Sequence, residues 1–239
     1  MNSSFVVSKI YDMKKSVNQR FYAILSGVSI IIMAVAAGLA MGLVFAPVLK
    51  MDLETFSAQL PVFKSSLLYG ILGWVIILIC DLLATWGLFK YYFPKNKSKS
   101  AVMGVFRLIY SVILGVAIVQ LMRALAANTE EESYSFIHSF EVIWQFGLIF
   151  FGVHLLYLAR LVCENRTVMR IIAGLLFMAG IGYFGSNIAD LFIGNYEEIR
   201  PNIEAVFILP MVVGELGLAI WLLIKGGKTS IVQKQQYAS

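Results

Sequence analysis

Six apolar runs, each long enough to cross a bilayer and each parted from the next by a short polar stretch, leave this chain little choice of fold class. Hydrocarbon offers backbone N–H and C=O groups no partner, so each run must satisfy them internally, as a helix. The runs fall at residues 21–49, 67–89, 101–125, 140–161, 171–192 and 205–224. Composition agrees: 14% of the 239 residues are charged, whereas a soluble domain carries about 25%. The expected fold is all-α, a polytopic transmembrane bundle of six helices. Residues 1–20 form a basic leader, 21–225 the membrane domain and 226–239 a tail. In the leader Phe5, Val6, Ile10, Met13 and Val17 recur at helical spacing opposite Lys9, Lys14 and Lys15, which fits an interfacial amphipathic helix or a loosely ordered segment. A cleavable signal is not expected, since the first apolar run continues past Ala36–Ala37.

The net charge of +5 does not indicate a nucleic-acid partner, because the basic residues flank the apolar runs rather than forming one patch. Fourteen Lys and Arg residues lie in the leader, the second and fourth loops and the tail, against four on the other side. Both termini are therefore expected to be cytoplasmic, in a multi-pass protein of the cell membrane. The intervening stretches read as loops: Met51–Ser66, a basic one at Lys90–Lys99, Glu130–Glu132 and a third acidic one with Glu197, Glu198 and Glu204. Gly38-x-x-x-Gly42 predicts close approach of a second helix, and Gly174, Gly180, Gly182 and Gly185 predict tight packing of the fifth span.

The fourth run carries polar or small residues on two sides. Gly147, His154 and Tyr157 share one face, and Glu141, Gln145 and Gly152 the other. A helix facing lipid needs one apolar back, so this one is predicted to be flanked by helices.

Four ionisable residues interrupt the apolar runs: Asp81, Arg107, His154 and Glu215. Each charge costs about 2.5–3.5 kcal/mol in hydrocarbon unless it faces the bundle interior. At a rise of about 1.5 Å per residue, Arg107 lies roughly 10 Å in from Ser100, and His154 roughly 9 Å in from Arg160. Asp81 and Glu215 lie roughly 14–15 Å from Lys90 and Lys225, on the same side. One inward-facing cluster is the expectation, with a kink at Pro210. Gln120, Glu141, Gln145, Ser186, Asn187 and Asp190 read as a second polar layer or as ordinary hydrogen bonding between helices together with interface residues. Two histidines and two isolated cysteines define no metal site, and no phosphate loop or nucleophile motif is present. No cofactor, metal or catalytic set is expected.

The sequence resembles a bacterial membrane family catalogued as domain of unknown function four-three-eight-six. The resemblance is carried by Asp81, Phe106–Arg107–Leu108, Phe150–Phe151–Gly152–Val153–His154–Leu155–Leu156, Gly182–Tyr183, and Gly214–Glu215–Leu216 with Leu218, Trp221–Leu222–Leu223 and Lys225–Gly226. It spans about Leu67 to Gly227 and departs where the family often has an acid, Ser186 and Asn187 standing here with Asp190 a turn further on. It implies a six-span fold and supports the four polar positions, and it supplies no substrate.

Three functional expectations follow. The first is a non-enzymatic protein that binds or moves a small or lipid-like anionic ligand held by Arg107 in a pocket with Asp81, His154 and Glu215. The second is an intramembrane enzyme using His154 and Glu215 as base and acid on a lipid. The third is a structural or regulatory partner in which the cluster only fastens helices. Membrane lipids are the expected surroundings, and a homo-oligomer is left open.

Overall fold

The structure, a computed structural model, describes the backbone of residues 3–193 and 196–228, without the side chains of 3–16, 62, 191, 196–200, 202 and 204. The amphipathic reading of the leader and the reading of residues 229–239 as a tail lie outside the described side chains and residues. Helix α1 runs Ser3–Ala37 and continues as a π-helix, Gly38–Phe45, and a last turn, Ala46–Val48. Then come α2 Leu53–Tyr92, α3 Lys97–Ala126, α4 Glu130–Val162, α5 Thr167–Phe192 and α6 Tyr196–Ile224. Six helices are long and apolar enough to cross a membrane, and they coincide with the six runs of the sequence. This is a multi-pass membrane protein.

The expected loops at Met51–Ser66, at Glu130–Glu132 and at Glu197–Glu204 are largely helical instead. Asp52 Oδ1 accepts from Thr55 N–H at 2.9 Å, which starts α2 fourteen residues before the expected span, and α2 passes through Pro61. Thr129 Oγ1 accepts from Glu132 N–H at 3.2 Å, so Glu130–Glu132 form the first turn of α4. Acids at helix N-termini meet the positive end of the macrodipole, and this explains why they gather there. Glu197, Glu198 and Glu204 likewise fall within α6. Cations serve the opposite end. Lys95 Nζ donates to Leu161 O at 2.6 Å, capping α4, and it pairs with Glu164 at 3.3 Å.

Consecutive helices touch, and α1 also meets α6, so the six form a closed ring, with α2 reaching α4 across it. Helix α4 is flanked as its two faces predict. A Cβ on Gly147 would stand 3.1 Å from Ile113 of α3, and one on Gly152 would stand 2.6 Å from the Phe184 backbone nitrogen of α5. Gly180 and Gly182 pack against Leu156 and Phe207, whereas Gly174 and Gly185 meet nothing within 4 Å.

The ring closes between α1 and α6 at the end bearing Lys95 and Lys225. Arg20 donates to the carbonyls of Leu222 (3.0 Å), Gly226 (2.8 Å) and Leu223 (2.5 Å), satisfying the C-terminus of α6. Gly27 then admits Ala219 and Leu223, a Cβ there falling 2.8 Å from Ala219 O.

Further along, the chain reads differently from expectation. Gly38 and Gly42 receive no partner helix; nothing lies within 4 Å of where their Cβ atoms would be. They belong to the π-helix, in which Ala46 N–H bonds back to Met41 O, immediately before Pro47. In an α-helix the Pro47 ring would press on the Leu43 carbonyl, and the wider π turn precedes it.

Candidate functional site

Three of the four intramembrane ionisable residues meet in a wedge between α2, α3 and α4. Arg107 Nη2 pairs with Asp81 Oδ1 at 2.6 Å, and Nη1 donates to His154 Nε2 at 3.0 Å. The Ser111 hydroxyl donates to Asp81 Oδ2. His154 Nδ1 lies 3.0 Å from the Met103 carbonyl oxygen. A guanidinium only donates and a carbonyl only accepts, so His154 carries its proton on Nδ1 and is neutral. Its ring stacks on Phe151 at 5.5 Å, and the same Phe151 ring lies 5.2 Å from the Arg107 guanidinium carbon. Arg107 Nη2 also approaches Met33 Sδ at 3.8 Å, which ties α1 to the wedge. Asp81 and His154 are fully buried and Arg107 is 1% exposed.

With its charges paired, such a set is tolerable in hydrocarbon, although Arg107 Nε finds no hydrogen-bond partner among the described residues. The helix faces explain how it assembles. Gly104, Arg107 and Ser111 lie one turn apart on α3, and all three are buried. On α2, the Thr85 hydroxyl donates to the Asp81 carbonyl at 2.7 Å, satisfying itself without competing for the carboxylate.

Glu215 stands apart from this set. No hydrogen bond or ion pair joins it to another described residue, though it feels the charges of Arg107 and Asp81. It lies on the wall of a cavity of about 560 Å³ inside the ring. All six helices line that cavity, among them Met33 and Ala37 of α1, Trp74 of α2, Tyr110 of α3, Trp144 of α4, Tyr183 of α5 and Met211 of α6. Asp81, Arg107 and His154 are not on its wall. The sequence therefore foresees the inwardness of four residues, and the structure gathers three and leaves the fourth facing open space. The aromatic wall is not foreseen as a site. Its signals are present, since Trp74 shares a face with Asp81, and Tyr183 follows one of the packing glycines.

The cavity has a side opening. Ile208 and Val212 line it and are nevertheless 60% and 51% exposed. On the facing side the wall is Gly38 and Gly42, which present no side chain. A groove along the same α1–α6 seam, lined by Ile31, Ala34, Val35, Leu216 and Ile220, shares Ala34 and Leu216 with the cavity. In a bilayer this seam faces acyl chains. At the far end Trp74 packs against Phe140 at 4.9 Å and Trp144 at 5.1 Å, with Phe45 5.5 Å from Phe140.

The acid–base pair of His154 with Glu215 is not assembled: both ring nitrogens of His154 are occupied elsewhere, and no contact joins the two side chains. Of the other polar residues, Gln145 donates to Glu141 at 3.3 Å and Asn187 to the Tyr183 carbonyl at 2.7 Å, both within their own helix rather than between helices.

Comparison with known proteins places these positions in a wider group. A protein of Archaeoglobus fulgidus described as uncharacterized is 30% identical over 165 residues, covering 69% of this chain and 88% of that one. No solved structure matches the chain. The model of a family described as Domain of unknown function (DUF4386) matches residues 25–226, which contain all six apolar runs but for their first few residues, the wedge and Glu215. The chain belongs to the DUF4386 family.

Proposed function

We propose that this protein binds a lipid-like or otherwise apolar molecule that enters its ring cavity sideways from the bilayer between α1 and α6. The observation that carries this reading is the cavity itself: lined by all six helices, walled mainly by apolar and aromatic groups, of a size that suits a small amphiphile, and open at a seam where Gly38 and Gly42 present no side chain. The ion-paired wedge fastens α2, α3 and α4. Its guanidinium is committed to Asp81 and His154, so an anion anchored by Arg107 fits the geometry poorly, and Glu215 becomes the polar contact of the site. A catalytic role for His154 has no support in its bonding.

The test uses tryptophan fluorescence. Of four tryptophans, Trp74 and Trp144 line the cavity, so a Trp86→Phe/Trp221→Phe background reports on it alone. In nanodiscs of lipid with brominated acyl chains, this background should be quenched, and Gly42→Phe, which fills the opening, should restore the emission. Unquenched fluorescence in the background protein would mean that acyl chains do not enter.

The basic end faces the cytoplasm of a cell membrane in this reading, as the distribution of Lys and Arg supports. Cys163 is exposed at that end and Cys80 is buried. An impermeant maleimide should therefore label Cys163 in inverted vesicles and not in intact cells; the reverse pattern overturns the orientation.

A further inference from the structure

We infer that the ring cavity takes a lipophilic organic cation, with the Glu215 carboxylate as its counter-charge. This rests on the reading of the cavity as a binding site and names the chemistry of its occupant.

The argument begins with the charges inside the ring. Asp81 and Arg107 cancel at 2.6 Å, and His154 is neutral because Arg107 donates to one ring nitrogen and the Met103 carbonyl accepts from the other. Of the four ionisable residues Asp81, Arg107, His154 and Glu215, only Glu215 lines the cavity, and no described cation pairs with it. A carboxylate in a low-dielectric wall needs a counter-charge or must hold a proton. Arg107 is already paired with Asp81, so Glu215 is free to ionise against a cation that enters the cavity.

The remaining wall suits the same occupant. Trp74, Tyr110, Trp144, Phe151 and Tyr183 line the cavity, and aromatic faces attract cations most strongly where water is excluded. An anion would face the Glu215 carboxylate with only phenol and indole donors to offset it. A neutral ligand would leave Glu215 holding a proton and make no use of its charge. The side opening onto acyl chains selects for molecules that partition into the bilayer, and it excludes small hydrated ions as the natural occupants.

Two ions of one shape and opposite charge separate these cases. The full chain in phosphatidylcholine nanodiscs is titrated with radiolabelled tetraphenylphosphonium and, in parallel, with tetraphenylborate. Saturable binding of one phosphonium per chain is expected, with no saturable borate binding. Glu215→Gln should weaken the phosphonium at least tenfold, Glu215→Asp should keep the preference for the cation, and Gly42→Phe should abolish binding. Thermal unfolding of each variant in the same discs establishes that it is folded.

Phosphonium binding that is indifferent to Glu215→Gln, or borate binding that equals it, overturns the cation and leaves the cavity reading intact. Absence of saturable phosphonium binding also overturns it, and the quenching experiment, which does not depend on charge, then decides whether the cavity reading falls with it. Adding phosphatidylethanolamine to the discs identifies the source. Displacement of phosphonium assigns the site to an amine headgroup of a lipid, and no displacement assigns it to a free amphipathic cation.

Discussion

Asp81 and Glu215 are both carboxylates in apolar helices, at roughly the same depth by helical rise, yet the molecule treats them in opposite ways. Asp81 is met by a guanidinium and a hydroxyl and lies off the cavity wall. Glu215 is met by space and aromatic rings. The difference lies in the neighbours. The wedge sits where α2, α3 and α4 crowd together, and Glu215 sits where α1 and α6 separate after their contact at Arg20 and Gly27. An intramembrane charge is thus no sign of a site by itself; the presence or absence of a built-in partner is what separates fastening from binding.

The largest expected effect tests the wedge. Arg107→Ala strands Asp81 without its counter-charge and should cost about 3–5 kcal/mol, as breaking a buried pair does. Replacing both partners, Arg107→Met with Asp81→Leu, should recover much of that loss, since a matched apolar pair removes the desolvation penalty too. Glu215→Gln, by contrast, should change unfolding in mixed micelles by no more than about 0.5 kcal/mol, as substitutions away from specific partners do. Equal costs for Arg107→Ala and Glu215→Gln would erase the distinction between the two regions.

The glycines sharpen the same contrast on a smaller scale. Gly152→Leu forces side-chain atoms into the Phe184 nitrogen and Gly180 oxygen, backbone groups that cannot swing aside, and should cost about 1–3 kcal/mol. Gly42→Ala enters open space and should be neutral or slightly stabilising, by up to about 1 kcal/mol if the segment gains from helix propensity.

Arg20→Ala removes three carbonyl contacts at the closure of the ring, and at its half-exposed position should cost about 1–2 kcal/mol. Hydrogen exchange should rise selectively at the C-terminal turns of α6. Uniform exchange along α6 would argue against a local closure.

The smallest effect is a pH dependence at the start of α2. The Thr55 hydroxyl and backbone N–H hold the Asp52 carboxyl below its ordinary value of 3.8. A lowered value means that the ionised form is favoured by folding, so its contribution is complete above that ordinary value and is lost as pH falls through the lowered one. Exchange at Thr55 and Phe56 should accelerate in that acidic window, and Asp52→Asn should remove the dependence. Acceleration on raising the pH would reverse the sign and refute the cap.

Much of this is legible in the sequence because hydropathy and helical period are local properties. The six spans, the two-sided character of α4 and the inward turn of Asp81, Arg107, His154 and Glu215 all follow from spacing. Which of those four would be paired does not, because it depends on the order of helices around the ring and on their rotation. Gly38 and Gly42 show the same limit: small residues permit an approach, and only the position of α6 decides whether a helix or a void arrives. The helical acidic stretches carry a readable signal, since Thr129 with Glu132 and Asp52 before Leu53 are N-terminal capping patterns. Pro47 marks the end of the first run, though nothing in its neighbourhood specifies a π-helix in preference to a kink.

Arg20 leaves the ribosome about two hundred residues before the carbonyls it will grip. Until α6 has been inserted, α1 has no partner across the seam, so the ring closes at that end only when α6 arrives. Chains truncated before Leu222 would lack that closure and present their interior to the membrane and to its quality-control proteases.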